Sequence, residues 1–278
     1  MVPSDESPEL TAEDREKLAA PPSIDSFQRE RLSRDAKKNW DLFYKRNGDR
    51  FFKNRHWTKL EFPELFELSE PTRLLEIGCG CGDFALPLVA HCQEQSLQNC
   101  SKASCDLFVF CCDISDRAID ILKKNRLYKD NHPARIKAFC ADLLSQASEI
   151  FTEIDHTPVD LVSLIFILSA LDPDQMLVAI RNIYSLLRPG GLVIFRDYAI
   201  YDKAMLRFSA SSKICDQFYV RQDGTRAYFF SKQQLVNLFE SHNFSCKSID
   251  YVRRQTVNHA THDKHSRIFL QAKFERGT

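Results

Sequence analysis

Net charge is missing from this chain: 38 Lys and Arg are balanced by 38 Asp and Glu over 278 residues, so charge alone points to neither nucleic acid nor a membrane. No C-x-x-C pair occurs among the ten cysteines, which sit mostly in apolar stretches such as Cys111, Cys112 and Cys140, so reduced thiols are expected rather than a disulfide scaffold. No apolar run approaches a membrane span, no hydrophobic leader follows Met1, and the acid-rich start is unlike a mitochondrial transit peptide. The cytoplasm is the expected compartment, with the nucleus left open. G-x-S-x-G and H-E-x-x-H are absent, so a hydrolase would lack its nucleophile or its metal. His259, His262 and His265 stand three apart, which spreads them around a helix, and no nearby cysteine completes a tetrahedral set; a hydrophilic loop and no metal are expected there. There is no internal repeat.

What charge there is falls unevenly. Residues 1–26 hold seven acids, two bases and Pro3, Pro8, Pro21 and Pro22 without an apolar period, which predicts a disordered acidic tail. Residues 27–59 then hold eleven bases (Arg29, Arg31, Arg34, Lys37, Lys38, Lys45, Arg46, Arg50, Lys53, Arg55 and Lys59) against four acids. Within them Leu32, Ala36, Trp40 and Phe43 recur at helical spacing and predict one amphipathic helix over 29–46. Phe51-Phe52-Lys53-Asn54-Arg55-His56-Trp57 interleaves aromatics with bases, a mixture suited to stacking on a nucleobase. A basic, aromatic extension over 27–70 is thus expected ahead of a body spanning 71–278.

In the body, strand patterns at 72–77, 107–112, 135–140, 159–168 and 191–196 alternate with helical ones at 83–92, 115–126 and 174–187, the last stopped by Pro189-Gly190-Gly191. Alternation of this kind gives a parallel sheet. A helix over 231–242 and β-rich stretches at 245–256 and 266–274 add an antiparallel edge hairpin, giving seven mostly parallel strands in an α/β fold. Residues 93–104 read as a polar insertion, and 218–230 as a further hairpin around Asp223-Gly224.

The chemistry is announced at the end of the first strand. Leu74-Leu75-Glu76-Ile77 runs into Gly78, Gly80 and Gly82, and Asp83 stands where a dinucleotide fingerprint needs its third glycine. A carboxylate there opposes a diphosphate but tolerates S-adenosylmethionine, which has no phosphate. Asp113 ends the second strand, where a carboxylate can accept from both ribose hydroxyls; a glycine turn that merely packs helix on strand is the alternative. Asp142 ends the third strand and suits either the adenine amino group or a helix N-cap, while Ile165 suits either plain core or the pocket floor. Asp197, at the end of the fifth strand, is the polar candidate facing substrate, unless Arg196 and Asp197 form a surface pair.

Asn39-Trp40-Asp41-Leu42-Phe43-Tyr44, the 51–57 segment, Glu76-Ile77-Gly78-Cys79-Gly80, residues 165–170, Phe195-Arg196-Asp197-Tyr198 and 218–230 together resemble the tRNA N3-methylcytidine methyltransferases over about residues 27–274. Met205-Leu206-Arg207-Phe208, residues 210–213 and Arg221-Gln222-Asp223-Gly224 are similar to the methyltransferase-like protein 6 branch. The resemblance implies a Rossmann-like class I S-adenosylmethionine-dependent methyltransferase with helices on both sheet faces. It implies cofactor contacts at Trp40, Tyr44, Gly78, Asp113, Asp142, Leu143 and Ile165, with Glu76, Gly80 and His56 beside them, and an N-terminal helix lying over the cofactor. Phe52, Arg55, Trp57, Tyr198, Arg207 and Arg221 would meet the RNA, and Asp197 would be catalytic. The branch implies cytidine 32 in the anticodon loop of serine tRNAs as target and seryl-tRNA synthetase as partner, with no membrane and no metal. Methylation of a protein or small molecule, or a catalytically silent RNA-binding subunit, are the competing readings.

Overall fold

The computed structural model describes residues 10–49, 61–65, 70–98, 106–257 and 264–278. Phe52, Arg55, His56, Trp57, His259 and His262 lie outside the described residues. The chain opens with α1 (Ala12–Ala19), α2 (Ser26–Arg34) and α3 (Ala36–Asn47). Alternating elements follow: β1 (Thr72–Ile77), α4 (Ala85–Gln98), β2 (Leu107–Asp113), α5 (Asp116–Lys124), α6 (Arg126–Asn131), β3 (Ile136–Cys140), α7 (Ala147–Glu153), β4 (Val159–Ile165), α8 (Pro173–Leu186) and β5 (Leu187–Tyr198). The remainder is α9 (Lys203–Leu206), β6 (Lys213–Cys215), β7 (Phe218–Val220), β8 (Arg226–Tyr228), α10 (Lys232–Glu240), β9 (Phe244–Val257) and β10 (Lys264–Arg276).

Seven strands form one sheet in the order β3-β2-β1-β4-β5-β10-β9, and β6-β7-β8 form a second. β1 pairs parallel with β2 and β2 with β3, whereas β9 and β10 are antiparallel. Near-continuous apolar burial along β1, β2 and β4 is what strands covered on both faces require. Strand order reverses between β1 and β4, the place where doubly wound sheets bind ligands at their strand ends. Among the described residues no helix is long and apolar enough to cross a membrane, and no His, Cys, Asp and Glu group is arranged to hold a metal.

The chain divides into two compact units, one of Trp40–Ser163 with Arg181–Val193, the other of Met1–Asn39, Leu164–Ile180 and Ile194–Gly277. In the first, Gly82 lets α4 and α5 close up: a Cβ there would stand 2.5 Å from Leu122 Cδ1 and 2.9 Å from Leu86 Cγ. In the second, Phe239 of α10 stacks on Phe274 of β10 at 4.0 Å, and Phe195 meets Phe230 edge-on at 5.7 Å. These contacts spread aromatic burial across elements far apart in sequence.

Several boundaries depart from the expectations. Residues 12–19 are helical despite the acid- and proline-rich context, because Thr11 and Asp14 form a reciprocal capping box. The helix expected over 29–46 is two, α2 and α3, parted at Asp35, whose N–H closes α2 on Arg31 and whose carbonyl starts α3 by accepting from Asn39. Pro189-Gly190-Gly191 is no turn but part of β5, which already begins at Leu187. A Cβ at Gly191 would fall 2.7 Å from Leu187 Cγ and 2.9 Å from the Asp160 carbonyl, so the glycine permits that close strand approach. β4 stops at Ile165, three residues earlier than its apolar run suggested, and the 115–126 helix breaks at Asn125. Cys92 is disulfide-bonded, contrary to the expectation of reduced thiols throughout, whereas Cys79, Cys81, Cys111, Cys112, Cys140, Cys215 and Cys246 are free.

Two side chains fasten the N-terminal helices inside the second unit. Lys213, with 2% of its side chain exposed, donates from Nζ to the Leu18 and Ala20 carbonyls at 2.7 Å each and pairs with Asp216 at 2.9 Å. Arg29 grips Asp172 through Nε at 2.7 Å and through Nη2, and reaches Asp174 at 2.7 Å. Removing the Lys213 ammonium would leave two carbonyls at the end of α1 without their charged donor. Lys213→Met is expected to lower unfolding free energy by about 2 kcal/mol in urea titrations and to open the α1 segment to protease; unchanged stability would contradict this anchoring.

Candidate cofactor and substrate sites

The chain leaves β1 through Gly78 (φ +67°), Gly80 (φ +54°) and Gly82 (φ +89°), left-handed conformations that L side chains rarely adopt. β2 aims the turn: the Cys79 N–H donates to the Cys112 carbonyl at 3.0 Å and the Gly80 N–H to Asp113 Oδ2 at 2.9 Å. Asp113 is 6% exposed, and its Oδ1 accepts the Ser115 N–H at 2.8 Å. Burial pushes its carboxyl up to about 6, against the Ser115 and Gly80 N–H bonds that favour the charged form, while Asp41 adds a like charge. A carboxylate offers about four lone-pair sites. The backbone of Gly80, Ser115 and Ile114 takes part of that capacity, and what remains suits a ribose hydroxyl.

The C-terminal half of α3 covers the same turn. Tyr44 is buried, and a Cβ on Gly80 would stand 2.7 Å from its hydroxyl oxygen. Phe43 and Tyr44 meet edge-on at 5.3 Å and pack with Cys81 and Ala118, with Trp40 against them at 5.3 Å from Phe43. Asp41 secures the helix by accepting from Ser115 Oγ at 2.6 Å and from the Arg117 N–H at 3.3 Å. Ser115 thus joins Asp113, Asp41 and the N-terminus of α5, where its hydroxyl caps the Ala118 N–H at 3.1 Å. Neither Asp41 nor Ser115 was singled out from sequence, although a Ser ahead of a helical apolar period is a readable cap signal.

The structure gathers Trp40, Tyr44, Gly78, Gly80 and Asp113 around one turn. Asp142 follows β3, but its Oδ1 accepts the Leu144 N–H at 2.9 Å in a local turn and α7 begins only at Ala147, so the helix-cap alternative does not hold. Leu143 is buried, its carbonyl accepting from Asn182 Nδ2 at 2.8 Å. Glu76 is buried within β1, and Ile165 is buried where β4 ends. Burial raises the Cys79 and Cys112 thiols well above their usual range, which leaves them unreactive core sulfurs. A glycine turn, one buried carboxylate with spare acceptor sites and Asp83 just beyond fit a nucleoside without a diphosphate. His56 lies outside the described residues.

The described substrate candidates, Asp197, Tyr198, Arg207 and Arg221, belong to the other unit, and Phe52, Arg55 and Trp57 lie outside the described residues. Asp197 is fully buried at the end of β5; Oδ2 accepts the Ser169 N–H and Oδ1 the Tyr198 N–H, each at 2.9 Å. Burial pushes its carboxyl up to about 6, opposed by the bonds to Ser169 and Tyr198 and by the charge of Arg221. A surface Arg196–Asp197 pair does not occur: both are buried, and Arg196 stacks 5.0 Å over Phe269 while donating to Gln271 at 3.0 Å. Adjacent strand residues point to opposite faces, which separates the two charges. Tyr198 is half-buried, with the Arg221 guanidinium 5.6 Å and the Arg267 guanidinium 5.9 Å from its ring centre. Arg221 also donates to the Arg226 carbonyl at 2.7 Å, and Arg207 is exposed after α9. Asp202 went unnoticed in the sequence because its partners are distant: it is fully buried and accepts from Arg267 Nε at 3.0 Å and the Ile268 N–H at 2.6 Å. Phe166, just past β4, has φ +62°. That conformation costs a residue with a Cβ roughly 1–2 kcal/mol.

Comparison with known proteins shows the family and the fold. A methyltransferase domain family model matches residues 75–193. The chain is 44% identical over 274 residues to the tRNA N(3)-cytidine methyltransferase METTL6 of Homo sapiens, covering 95% of this chain and 89% of that protein. It is 36% identical to the tRNA N(3)-methylcytidine methyltransferase Mettl2 of Drosophila melanogaster, covering 98% and 81% respectively. It is 32% identical to the tRNA(Thr) (cytosine(32)-N(3))-methyltransferase of Saccharomyces cerevisiae, over 91% of this chain and 39% of that protein. The solved SAM-dependent methyltransferase from Anabaena variabilis shares the fold at TM-score 0.59 and 14% identity, covering 93% of this chain and 98% of its own.

Gly80→Ala is expected to destabilise the protein by roughly 2 kcal/mol, because the new Cβ meets the Tyr44 hydroxyl and the left-handed backbone is retained. Adding Tyr44→Phe removes the clashing oxygen and should recover about half of that loss in thermal or urea unfolding; no recovery would mean Tyr44 does not lie on the turn. Ribose hydroxyls bond best to the ionised Asp113, so S-adenosylmethionine affinity should rise with pH through about 6. By calorimetry, the dissociation constant at pH 5 should be about tenfold weaker than at pH 7. Asp113→Asn should bind weakly and without that pH dependence, and a pH-independent wild type would remove the role assigned to Asp113.

Proposed function

The chain belongs to the tRNA N3-cytidine methyltransferases, and from that premise we propose that it methylates N3 of cytidine 32 in the anticodon loop of serine tRNAs, working with seryl-tRNA synthetase. The observation that carries the cofactor side is the buried Asp113 carboxylate bonded to the Gly80 N–H, with lone pairs left for a ribose. S-adenosylmethionine supplies a methyl group on a positively charged sulfur. Trp40, Tyr44, Gly78, Asp142, Leu143 and Ile165 are the further residues assigned to the cofactor, with Glu76, Gly80 and His56 as additional candidates. Position 32 is the site named for the yeast relative, and the serine tRNAs and their synthetase follow from the likeness of residues 205–213 and 221–224 to one branch of the family.

The lone pair on cytosine N3 is free near neutral pH, so the N–C bond forms as the C–S bond breaks, with no proton to remove. Positioning therefore supplies most of the acceleration. In a helix N3 faces its pairing partner, so the target must come from an unpaired loop and be held by stacking, the task assigned to Tyr198, Phe52 and Trp57. The methylated ring is cationic, and Asp197 is the carboxylate assigned to offset that charge. Arg207, Arg221 and Arg55 are assigned to the RNA backbone. Not every base of the N-terminal extension is equally available to RNA: Arg29 is bound to Asp172 and Asp174, whereas Arg31 and Arg34, paired with Asp35 only at 3.9 and 3.7 Å, are 67% and 72% exposed.

The test is mass spectrometry of nucleosides from serine tRNA incubated with the protein and S-adenosylmethionine, with and without seryl-tRNA synthetase. N3-methylcytidine at position 32, formed faster with the synthetase, is expected. Asp197→Ala should cut turnover about 100-fold while leaving S-adenosylmethionine affinity within about twofold. Absence of N3-methylcytidine overturns the reading, and full turnover by Asp197→Ala overturns the role of that carboxylate.

A further inference from the structure

Three rings close a triangle in the second unit. The Phe166 ring lies 5.0 Å from Tyr198 at 42° and 5.5 Å from Phe269 at 77°, and Tyr198 and Phe269 stand 6.3 Å apart. Phe166 reaches this place only through its left-handed backbone (φ +62°), a conformation in which a bulky aromatic is an outlier. Its neighbours impose the strain: the Phe166 N–H donates to the Arg196 carbonyl at 2.8 Å, and β4 has just ended at Ile165. Strain held in this way gathers at functional positions. An aliphatic residue would fill the volume as well, but it would not offer Tyr198 a rigid plane.

Tilt matters for this reaction because the N3 lone pair lies in the plane of the cytosine. A base stacked on a mis-tilted ring still binds, since every stacking face is tolerant, but its lone pair no longer points along the methyl–sulfur axis. We infer that Phe166 is a positioning residue for methyl transfer: its left-handed backbone wedges a ring against Tyr198 and so fixes the tilt of the surface on which the target cytosine stacks. The inference rests on the reading of Tyr198 as the stacking residue. Phe166 acts through Tyr198 and serves turnover rather than binding.

Steady-state methylation of serine tRNA by the full chain tests it. Phe166→Leu should lower kcat by about tenfold or more, with KM for tRNA and the S-adenosylmethionine dissociation constant within about twofold. Phe166→Tyr, which restores the plane, should keep kcat within about threefold of wild type, and in a Tyr198→Ala background Phe166→Leu should cost nothing further. Phe166→Met, of similar volume, carries the same expectation if the leucine variant does not fold. Wild-type kcat in Phe166→Leu, equal losses in Phe166→Leu and Phe166→Tyr, or an undiminished loss on top of Tyr198→Ala would each overturn the inference alone. A wild-type protein that forms no N3-methylcytidine would overturn the functional reading and this inference with it.

Discussion

The bond between the Gly80 N–H and the Asp113 carboxylate is the constraint on which the rest of the cofactor side depends. A strand end carrying a buried acid is costly by itself, and here the cost is offset by backbone donors, Gly80 and Ser115 among them, that each need an acceptor once they are out of water. The exchange fixes the glycine turn to β2 and the Ser115 loop to the turn, and Ser115 in turn ties Asp41 and so α3. Glycine at 80 is then required twice, for its backbone angle and because Tyr44 occupies the space a side chain would fill. One carboxylate thereby organises a strand end, a turn, a helix start and a covering helix.

The other unit repeats the device with a different outcome. Asp197, like Asp113, closes a strand, is buried, holds backbone N–H groups and has its carboxyl raised to about 6 by desolvation. Its partners, Ser169 and Tyr198, belong to segments that carry aromatic side chains, so the acid there steers rings instead of a glycine turn. Asp202 extends the pattern by gripping Arg267 and the Ile268 N–H. Buried acids satisfied by main-chain donors are this chain's recurrent means of making loop geometry definite.

Much of the architecture was legible because its cause is local. Apolar runs gave β1 to β5, and the glycine spacing marked the turn that Asp113 grips. What sequence hid is what depends on distant partners. Arg29 counts as one more base in a basic arm until Asp172 is seen against it, 143 residues away. Arg196 and Asp197 look like a surface pair until both prove buried on opposite faces of β5. Nothing in Leu164 to Leu168 betrays that the strand ends at Ile165 and that Phe166 flips to positive φ, because the run is apolar throughout and the carbonyl that accepts the Phe166 N–H, that of Arg196, is distant in sequence. The α1 helix is the exception: Thr11 and Asp14 spell out its capping box, but the surrounding acids and prolines masked it.

The pinning of α1 by Lys213 carries a consequence for biosynthesis. Leu18 leaves the ribosome 195 residues before the ammonium group that will hold its carbonyl, so at ordinary translation speed it waits on the order of tens of seconds. During that interval the segment lacks the Lys213 anchor and the Met205, Tyr219 and Phe229 cluster that Leu18 packs on in the fold, and its surplus of carboxylates keeps it hydrated. The acid surplus around α1 thus serves the nascent segment as well as the folded one, in which α1 settles only after Lys213 has been made.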